Sequence, residues 1–259
     1  MKIFIVNAFA ENKFGGNPAA VVPLREWLPE NLMQQIAMQN NLAETAFIVP
    51  QEDEFAIRWF TPAVEVALCG HATLASAYIY FNRLGYAKEK ITFHSKSGPL
   101  HVTKRDDEKL TLDFPADILH EAPLLPEIEH GLKTKPLEVY KASTDYMVVL
   151  KDQKAVETLD PDFSLLAKLK SRGIIATAKG ENVDFVSRGF FPQSGINEDP
   201  VTGSAHTVLT PYWAKRLGKE KLSAIQWSKR KGFLDCELKS DRVLISGNAH
   251  IYLEGEIFI

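Results

Sequence analysis

Short runs of apolar, β-branched and aromatic residues, bounded by glycine, proline and asparagine, occupy much of the first 60 residues, a pattern typical of β-strands. They predict strands at 2–9, 19–23, 45–49 and 55–60. Between the second and third of these runs, Leu32, Ile36 and Met38 recur at helical spacing, which predicts a helix over 27–40. The chain therefore begins as a mixture of strands and helices.

The same kind of pattern extends to residue 136. A second helix is predicted at 71–83, followed by antiparallel strands at 91–102 and 109–114 that turn at 106–108. Proline and acidic residues then crowd 115–136, a composition that predicts a linker.

The second half of the chain repeats the first. An Arg-x-Phe-x-Pro sequence at 58–62 recurs at 188–192, and GHATLASAYIYFNRLG from Gly70 aligns with GSAHTVLTPYWAKRLG from Gly203. A repeat of this length is a whole α+β half, so we expect two similar halves, each with strands around one central helix, related by a pseudo-twofold axis. The predicted halves are 1–116, joined by a C-terminal strand at 250–259, and 117–249.

Each repeated helix is predicted to begin at a glycine, Gly70 or Gly203, after a loop that contains proline. The first N–H groups of a helix have no partner within the helix, and the positive end of the helix dipole lies there. Two such ends at one cleft would bind an anion, most simply a carboxylate. The repeat therefore predicts a small carboxylate substrate.

Composition narrows the classes of function. The chain has 259 residues, a formal net charge of -3 and two cysteines, with no basic surface for nucleic acid and no Cys-x-x-Cys motif for zinc or a disulfide framework. No run approaches the roughly 18 apolar residues of a membrane span. Metal-ligand spacing of histidines and glycine-rich nucleotide motifs are absent too. We expect a cytoplasmic protein without a metal or an organic cofactor that binds neither nucleic acid nor a membrane.

Four strings carry a family resemblance: VNAFAENKFGGNPAAVV, NLAETAFIV, RWFTPAVEVALCGHAT and FFPQSGINEDPVTGSAH. In this order they resemble the phenazine-biosynthesis PhzF-like isomerase/epimerase family over essentially the whole chain. The resemblance implies a diaminopimelate-epimerase-like α+β fold, in which two pseudo-symmetric domains each wrap a curved antiparallel sheet around a central helix. It also implies a catalytic cleft between the domains and a homodimer.

The resemblance also assigns roles to particular residues. The glutamate of the Glu-Thr-Ala-Phe sequence, Glu44, corresponds to the family's general acid/base. Further catalytic positions correspond to His71 and Asp199, and substrate-binding positions to Gly70, Gly203, Ser204 and Asn17.

The positions of Glu44 and His71 in their predicted elements suit proton transfer. Strand alternation places Glu44 on the face of Ala46 and Ile48, where partial desolvation favours the protonated carboxyl that a proton shuttle uses near neutral pH. His71 at a helix start is expected to stay neutral, with one ring nitrogen that accepts and one that donates.

Structural roles stay open for the other candidates. In the Gly-Gly-Asn-Pro sequence, a turn is the first interpretation of Asn17 and contact with a ligand is the second. Asp199 precedes a proline and suits an Asx turn, and Ser204 suits a helix cap. These roles are compatible with substrate contact.

Two other functions compete with a cofactor-independent isomerase that shifts a double bond by proton transfer. A racemase or epimerase of a small amino or hydroxy acid would use two cysteines on opposite faces of its substrate. Cys69 stands where the first would, but 197–204 contains no cysteine and Cys236 belongs to a later strand. The third function is non-catalytic binding of a small carboxylate. The missing second cysteine favours the isomerase, with Glu44 as its acid/base.

Overall fold

The computed structural model describes residues 1–259 and consists of two compact units. Unit 1 comprises Met1–Phe114 and Ile245–Ile259, and unit 2 comprises Pro115–Leu244. The boundary between the units therefore lies near the middle of the chain, and the C-terminal segment belongs to unit 1.

The two units are built from 18 strands and six α-helices. The strands are β1 (Lys2–Ala8), β2 (Asn17–Pro23), β3 (Glu44–Gln51), β4 (Glu54–Phe60), β5 (Glu65–Val66), β6 (Lys90–Ser95), β7 (Gly98–Lys104), β8 (Leu110–Pro115), β9 (His120–Glu121), β10 (Glu138–Lys141), β11 (Asp145–Val149), β12 (Gly173–Lys179), β13 (Phe185–Phe191), β14 (Ile196–Asp199), β15 (Lys221–Gln226), β16 (Gly232–Lys239), β17 (Arg242–Gly247) and β18 (Ala249–Glu256). The helices are α1 (Glu30–Asn40), α2 (Gly70–Asn82), α3 (Pro126–Leu132), α4 (Gln153–Glu157), α5 (Phe163–Leu166) and α6 (Gly203–Leu217). None of them combines the length and the apolar composition that crossing a membrane requires.

In unit 1 the strands wrap around α2. Strand β1 pairs antiparallel with β18 and β2, β2 runs parallel to β3, and β3 pairs antiparallel with β4. The ladder continues through a parallel pairing of β4 with β6 to the antiparallel strands β7 and β8. Helix α2 packs against β1, β2, β3, β7 and β18. It is rich in alanine, which lets the surrounding strands approach closely.

The other face of the β2–β3–β4 region is covered by α1. Met33 and Ile36 of α1 pack in one core cluster with Phe47 of β3. Because successive side chains of a strand point to opposite faces, Glu44 and Ala46 lie on the face that carries α2.

Unit 2 repeats this arrangement. Strand β10 is antiparallel to β11, β11 parallel to β12, β12 antiparallel to β13, β13 parallel to β15, and β15 antiparallel to β16. Helix α6 takes the central place: the Trp213 ring stacks on Phe185 of β13 with centroids 6.0 Å apart, and its indole N–H donates to Thr177 of β12 at 3.0 Å. Helices α3, α4 and α5 supply side chains to a cluster on the other face.

A matching ion pair supports the duplication. Arg58 Nε donates to Glu65 at 2.7 Å in unit 1, and Arg188 Nε donates to Glu198 at 2.7 Å in unit 2. Each guanidinium also lies over the phenylalanine two residues further on, 5.2 and 5.0 Å from the ring centroid. Together with the shared order of pairings, this confirms the predicted fold class of two similar α+β halves.

Three predicted elements differ from the structure. The strand predicted at 91–102 is a hairpin of β6 and β7, which turns just before Gly98 at φ +95°. The linker predicted at 115–136 is folded, since it contains β9 and α3, and Ile128 of α3 is fully buried. Proline at the first helical position and acidic residues in the first turn favour that helix, so the same composition that suggested a linker begins a helix. The first helix begins at Glu30, after Pro29, rather than at residue 27.

The boundaries of the units also differ slightly from the predicted ones. The first lies after Phe114 instead of residue 116, and the return lies at Ile245 instead of residue 250. The return is early because β17 pairs with β8, where Thr111 Oγ1 and Ser246 Oγ are 2.7 Å apart.

Candidate active site

A cluster of four buried polar side chains lies at the start of α2 in unit 1. Asn17 begins β2, Glu44 begins β3, Cys69 precedes the first residue of α2, and His71 is the second residue of that helix, directly after Gly70. Their residues are 0%, 9%, 6% and 4% exposed. Since β2 and β3 are parallel neighbours, with Ala19 opposite Glu44, both strands begin at the same edge of the sheet.

The loop before β2 is folded so that Asn17 enters this cluster. Gly16 has φ +66°, and a Cβ atom there would lie 2.2 Å from the carbonyl oxygen of Ala8, so glycine is required. The side-chain amide of Asn7 donates to the carbonyl oxygen of Lys13 at 2.7 Å and fixes the same loop. The turn predicted for Asn17 is therefore wrong: the residue begins a strand and is buried.

The imidazole of His71 is the centre of the cluster. Its Nε2 lies 3.1 Å from Glu44 Oε2, although the N–H is not aligned as in a regular hydrogen bond. Its Nδ1 lies 3.2 Å from Asn17 Nδ2 and 3.6 Å from Cys69 Sγ. A carboxyl, an imidazole, an amide and a thiol thus form a continuous polar path inside unit 1.

The surroundings set the charges of this path. Burial lowers the pKa of His71, whereas Cys69 and the Glu44 carboxylate raise it, and the pKa ends well above the usual 6.5. Burial raises the pKa of the Cys69 thiol to about 11, so near neutral pH the thiol is uncharged and the carboxyl of Glu44 is the acidic group beside the ring. The helix dipole led to the expectation of a neutral ring, whereas the carboxyl group 3.1 Å from Nε2 favours the imidazolium.

Asn17 suits both protonation states of the ring. Its amide N–H₂ donates to Nδ1 of His71 when that nitrogen carries no proton, as oriented in the structure. A half-turn of the amide would bring the amide oxygen into place to accept from a protonated Nδ1. With Nδ1 protonated and the amide turned, the Nε2 proton can pass between His71 and Glu44 while Asn17 keeps its hydrogen bond to Nδ1.

The same cluster contains residue types that bind metals. Ligand atoms of Glu44, Cys69 and His71 lie within 4.8 Å of one another, and carboxylate, thiolate and imidazole all bind Zn²⁺. However, the ring faces the sulfur with Nδ1 and the carboxylate with Nε2. The closest contacts therefore use different ring nitrogens, an arrangement that suits proton transfer through the ring.

In unit 2, Asp199 ends β14 and belongs to a fixed loop. Its carboxylate accepts from Thr202 Oγ1 at 2.6 Å. Gln226 of β15, 1% exposed, donates to the carbonyl oxygen of Asp199 at 2.8 Å and accepts from the backbone N–H of Thr202 at 2.8 Å. The loop that leads into α6 is therefore locked by a buried amide that the sequence did not single out.

Gly203 and Ser204 are the first two residues of α6. The hydroxyl of Ser204 accepts from Arg172 Nη2 at 3.0 Å, and the same guanidinium binds the carboxylate of Asp145. Thr202, which precedes the helix, makes no side-chain cap bond. Arg172 and Asp145 carry no sequence signal, because they lie 27 residues apart in segments without a motif.

The two units correspond at this point. The alignment of Gly70 with Gly203 sets Cys69 opposite Thr202 and His71 opposite Ser204. Both helices begin at a glycine without a side-chain cap and without an acidic residue in the first turn. Unit 2 thus has a hydroxyl where unit 1 has a thiol.

Fold and site define an α+β protein with an epimerase-like fold and a buried glutamate–histidine pair beside a repeated helix start. The chain belongs to the phenazine biosynthesis-like protein family, PhzC-PhzF, whose family model matches residues 6–255. This confirms the resemblance inferred from the four strings.

Relatives extend over the whole chain. An uncharacterized isomerase of Pseudomonas aeruginosa is 48% identical over 100% of this chain and 99% of its own length. A phenazine biosynthesis-like domain-containing protein of Mus musculus is 41% identical over 99% of each chain.

Solved structures agree with the fold. A phenazine biosynthesis protein of the PhzF family from Enterococcus faecalis is 52% identical and superposes with a TM-score of 0.97 over 100% of this chain and 99% of its own. A predicted epimerase from Pseudomonas aeruginosa, 18% identical, shows the same fold with a TM-score of 0.78 over 100% of this chain and 99% of its own.

Proposed function

We propose that this protein is a cofactor-independent isomerase that moves a proton on a small carboxylate-bearing metabolite, with Glu44 as the general acid/base. The contact between Glu44 and His71 carries the proposal, because it joins a buried carboxyl to an imidazole of raised pKa. A proton carrier needs a partner that stabilises its charged form without competing for the substrate. The name of the Pseudomonas aeruginosa relative, an isomerase, supports the class of reaction.

The proposed step balances without a cofactor. The Glu44 carboxylate takes a proton from a carbon of the substrate, and the electron pair of that C–H bond forms a new double bond while the original double bond shifts. The protonated Glu44 then returns the proton to the far carbon on the same face. His71 stabilises the carboxylate before and after the step, and Asn17 holds the ring in position.

The substrate class rests on the helix starts. The first N–H groups of α2 and of α6 have no side-chain cap, and such groups suit the oxygens of a carboxylate. Substrate contacts of Gly70, Asp199, Gly203 and Ser204 follow from the family resemblance and stay predictions. The homodimer and the cytoplasmic location stay predictions too.

One observation favours a racemase or epimerase as the second candidate: Cys69 lies beside His71 at the helix start. Two features weigh against it. The pKa of the Cys69 thiol is raised to about 11, whereas a thiol base works as the thiolate. The corresponding residue of unit 2 is Thr202, which cannot supply the second thiol.

The test is exchange of solvent deuterium into a panel of small mono- and dicarboxylic acids, followed by mass spectrometry. Glu44→Gln keeps size and hydrogen bonding but cannot cycle a proton, so we expect exchange to fall by about 10²–10⁴-fold with the fold retained. Cys69→Ser should keep most of the activity. Glu89→Gln, an exposed glutamate of the same unit, is the control for loss of one charge.

Three results would contradict the proposal. Near-normal exchange in Glu44→Gln removes that residue from the mechanism. An inactive Cys69→Ser with deuterium at an inverted stereocentre establishes the epimerase instead. If the wild type binds an acid but exchanges no deuterium into it, the protein is a non-catalytic binder of small carboxylates.

A further inference from the structure

We propose that Arg172 determines substrate specificity by binding a second carboxylate of the substrate, next to Ser204. The proposal rests on the proposed function, since it takes Ser204 as a substrate contact. It adds that the substrate is a dicarboxylic acid.

Arg172 is anchored on one edge. It precedes β12, and Asp145 begins the parallel neighbour β11, so both residues lie at the same end of adjacent strands. Nε donates to Asp145 Oδ1 at 2.9 Å, and Nη2 donates to the other carboxylate oxygen and to Ser204 Oγ at 3.0 Å. The Phe191 ring lies 5.1 Å from the guanidinium carbon. The guanidinium plane is thereby fixed beside the first turn of α6.

The opposite edge is available. A guanidinium has five N–H groups, and the bonds from Nε and Nη2 use three of them. The two N–H groups of Nη1 donate to no acceptor within the protein, and 37% of the side chain is exposed. Asp145, with 1% of the residue exposed, holds the arginine from the protein side.

A structural arginine of the same unit looks different. Arg188 uses Nε and Nη2 for Glu198, and its Nη1 donates to the carbonyl oxygen of Leu159 at 2.7 Å. Its side chain is 11% exposed. All three nitrogens of Arg188 are thus satisfied by the protein. Arg172 differs from Arg188 in that its Nη1 has no acceptor within the protein.

The chemistry of Nη1 selects the ligand. Two N–H groups of a fixed, permanently charged guanidinium match the oxygens of a carboxylate and give charge-assisted hydrogen bonds. Lysine would supply a point charge without this geometry. Because the ion pair with Asp145 sets the orientation before the ligand arrives, little side-chain entropy is lost on binding.

The test compares two ligands of equal chain length, succinate and butyrate, at constant ionic strength. Dissociation constants are measured by titration calorimetry for the wild type, Arg172→Gln and the double variant Arg172→Gln/Asp145→Asn. The double variant removes the buried charge together with its partner, so folding is retained if Arg172→Gln alone is unstable. Lys170→Gln, an exposed cation two residues away, is the control for local charge.

We expect the wild type and Lys170→Gln to bind succinate about tenfold more tightly than butyrate. The neutral double variant should bind succinate no more tightly than butyrate. Equal affinities in the wild type, or a preference for succinate that survives in the double variant, would overturn the proposal. The isomerase proposal fails separately, through deuterium exchange that does not depend on Glu44.

Discussion

The charge of His71 is decided by its neighbours at the scale of single residues. Its ring is buried, which alone would keep it neutral, yet the Glu44 carboxylate at 3.1 Å favours the imidazolium. A group whose pKa is raised on folding stabilises the native state below its unfolded pKa and loses that contribution as the pH rises through the folded pKa. The pair should therefore leave a signature in the pH dependence of stability.

We predict that His71→Gln lowers the free energy of unfolding most at pH values below about 6.5, the usual pKa of histidine. The difference from the wild type should shrink as the pH rises from that value to the raised pKa of the folded state, because over this range the unfolded chain loses the proton that the native imidazolium keeps. Urea unfolding at a series of pH values measures this. His120→Gln, in an exposed position, should show no such trend. A difference that grows with pH would exclude the ion pair.

Both cysteines should be unreactive in the folded protein. Burial raises the pKa of Cys69 to about 11 and that of Cys236 to about 12, and the thiolate is the reactive form. We predict that a disulfide reagent titrates essentially no thiol at pH 8 in native protein and two thiols in urea. Rapid native labelling at Cys69, mapped by mass spectrometry, would contradict this assignment and strengthen the epimerase alternative.

At the scale of elements, the segment between β14 and α6 is held by close packing. Gln226 bonds to both ends of the turn at Asp199 and Thr202. Val201, fully buried between them, packs directly against Gly232 of β16. The start of α6 is consequently positioned by β15 and β16 rather than by a side-chain cap.

We predict that Gly232→Ala destabilises unit 2 by about 1–3 kcal/mol, because the new Cβ would lie 2.1 Å from a methyl carbon of Val201. Adding Val201→Ala should recover part of this loss by making room. Gly255→Ala, where the nearest atom is 3.5 Å away, is the tolerated control. Chemical unfolding of the wild type, the two single variants Gly232→Ala and Val201→Ala, and the double variant measures the cycle. If the two changes in the free energy of unfolding simply add, the contact is not the cause.

At the scale of the whole molecule, the duplication places equivalent ion pairs in unequal surroundings. Arg58 also reaches the exposed Glu30, whereas Arg188 donates to backbone carbonyls that include that of Leu159. Lys96 remains next to Glu65 if Arg58 is removed. The ion pair of Arg58 and Glu65 therefore has a substitute cation nearby, whereas Arg188 has additional backbone partners that would lose their donor.

We predict that Arg188→Met lowers the free energy of unfolding by about 3 kcal/mol or more, since Glu198 and buried carbonyls lose their partner. Arg58→Met should cost only about 1 kcal/mol, because a second cation still faces Glu65. Urea unfolding of both variants gives the ranking. Equal costs would show that the surroundings of the repeated pair do not matter.

The sequence by itself determined the repeated α+β architecture, the helix starts at Gly70 and Gly203, and the strand that carries Glu44. These features are local: apolar periodicity fixes which face of an element is buried, and a repeat copies that pattern along the chain. Acidic and proline-rich composition misled the prediction at 115–136, because a helix start uses the same residues as a linker.

Only the tertiary structure decided the state of His71, the burial of Asn17 and the anchoring of Arg172. His71 lies 54 residues from Asn17, and Arg172 lies 32 residues from Ser204. Hydrogen-bond partners and charge states depend on distances of a few ångström and on the loss of water around each group. Local periodicity predicts neither these distances nor this loss of water. The fold could therefore be predicted from the sequence, while the electrostatics of its site required the structure.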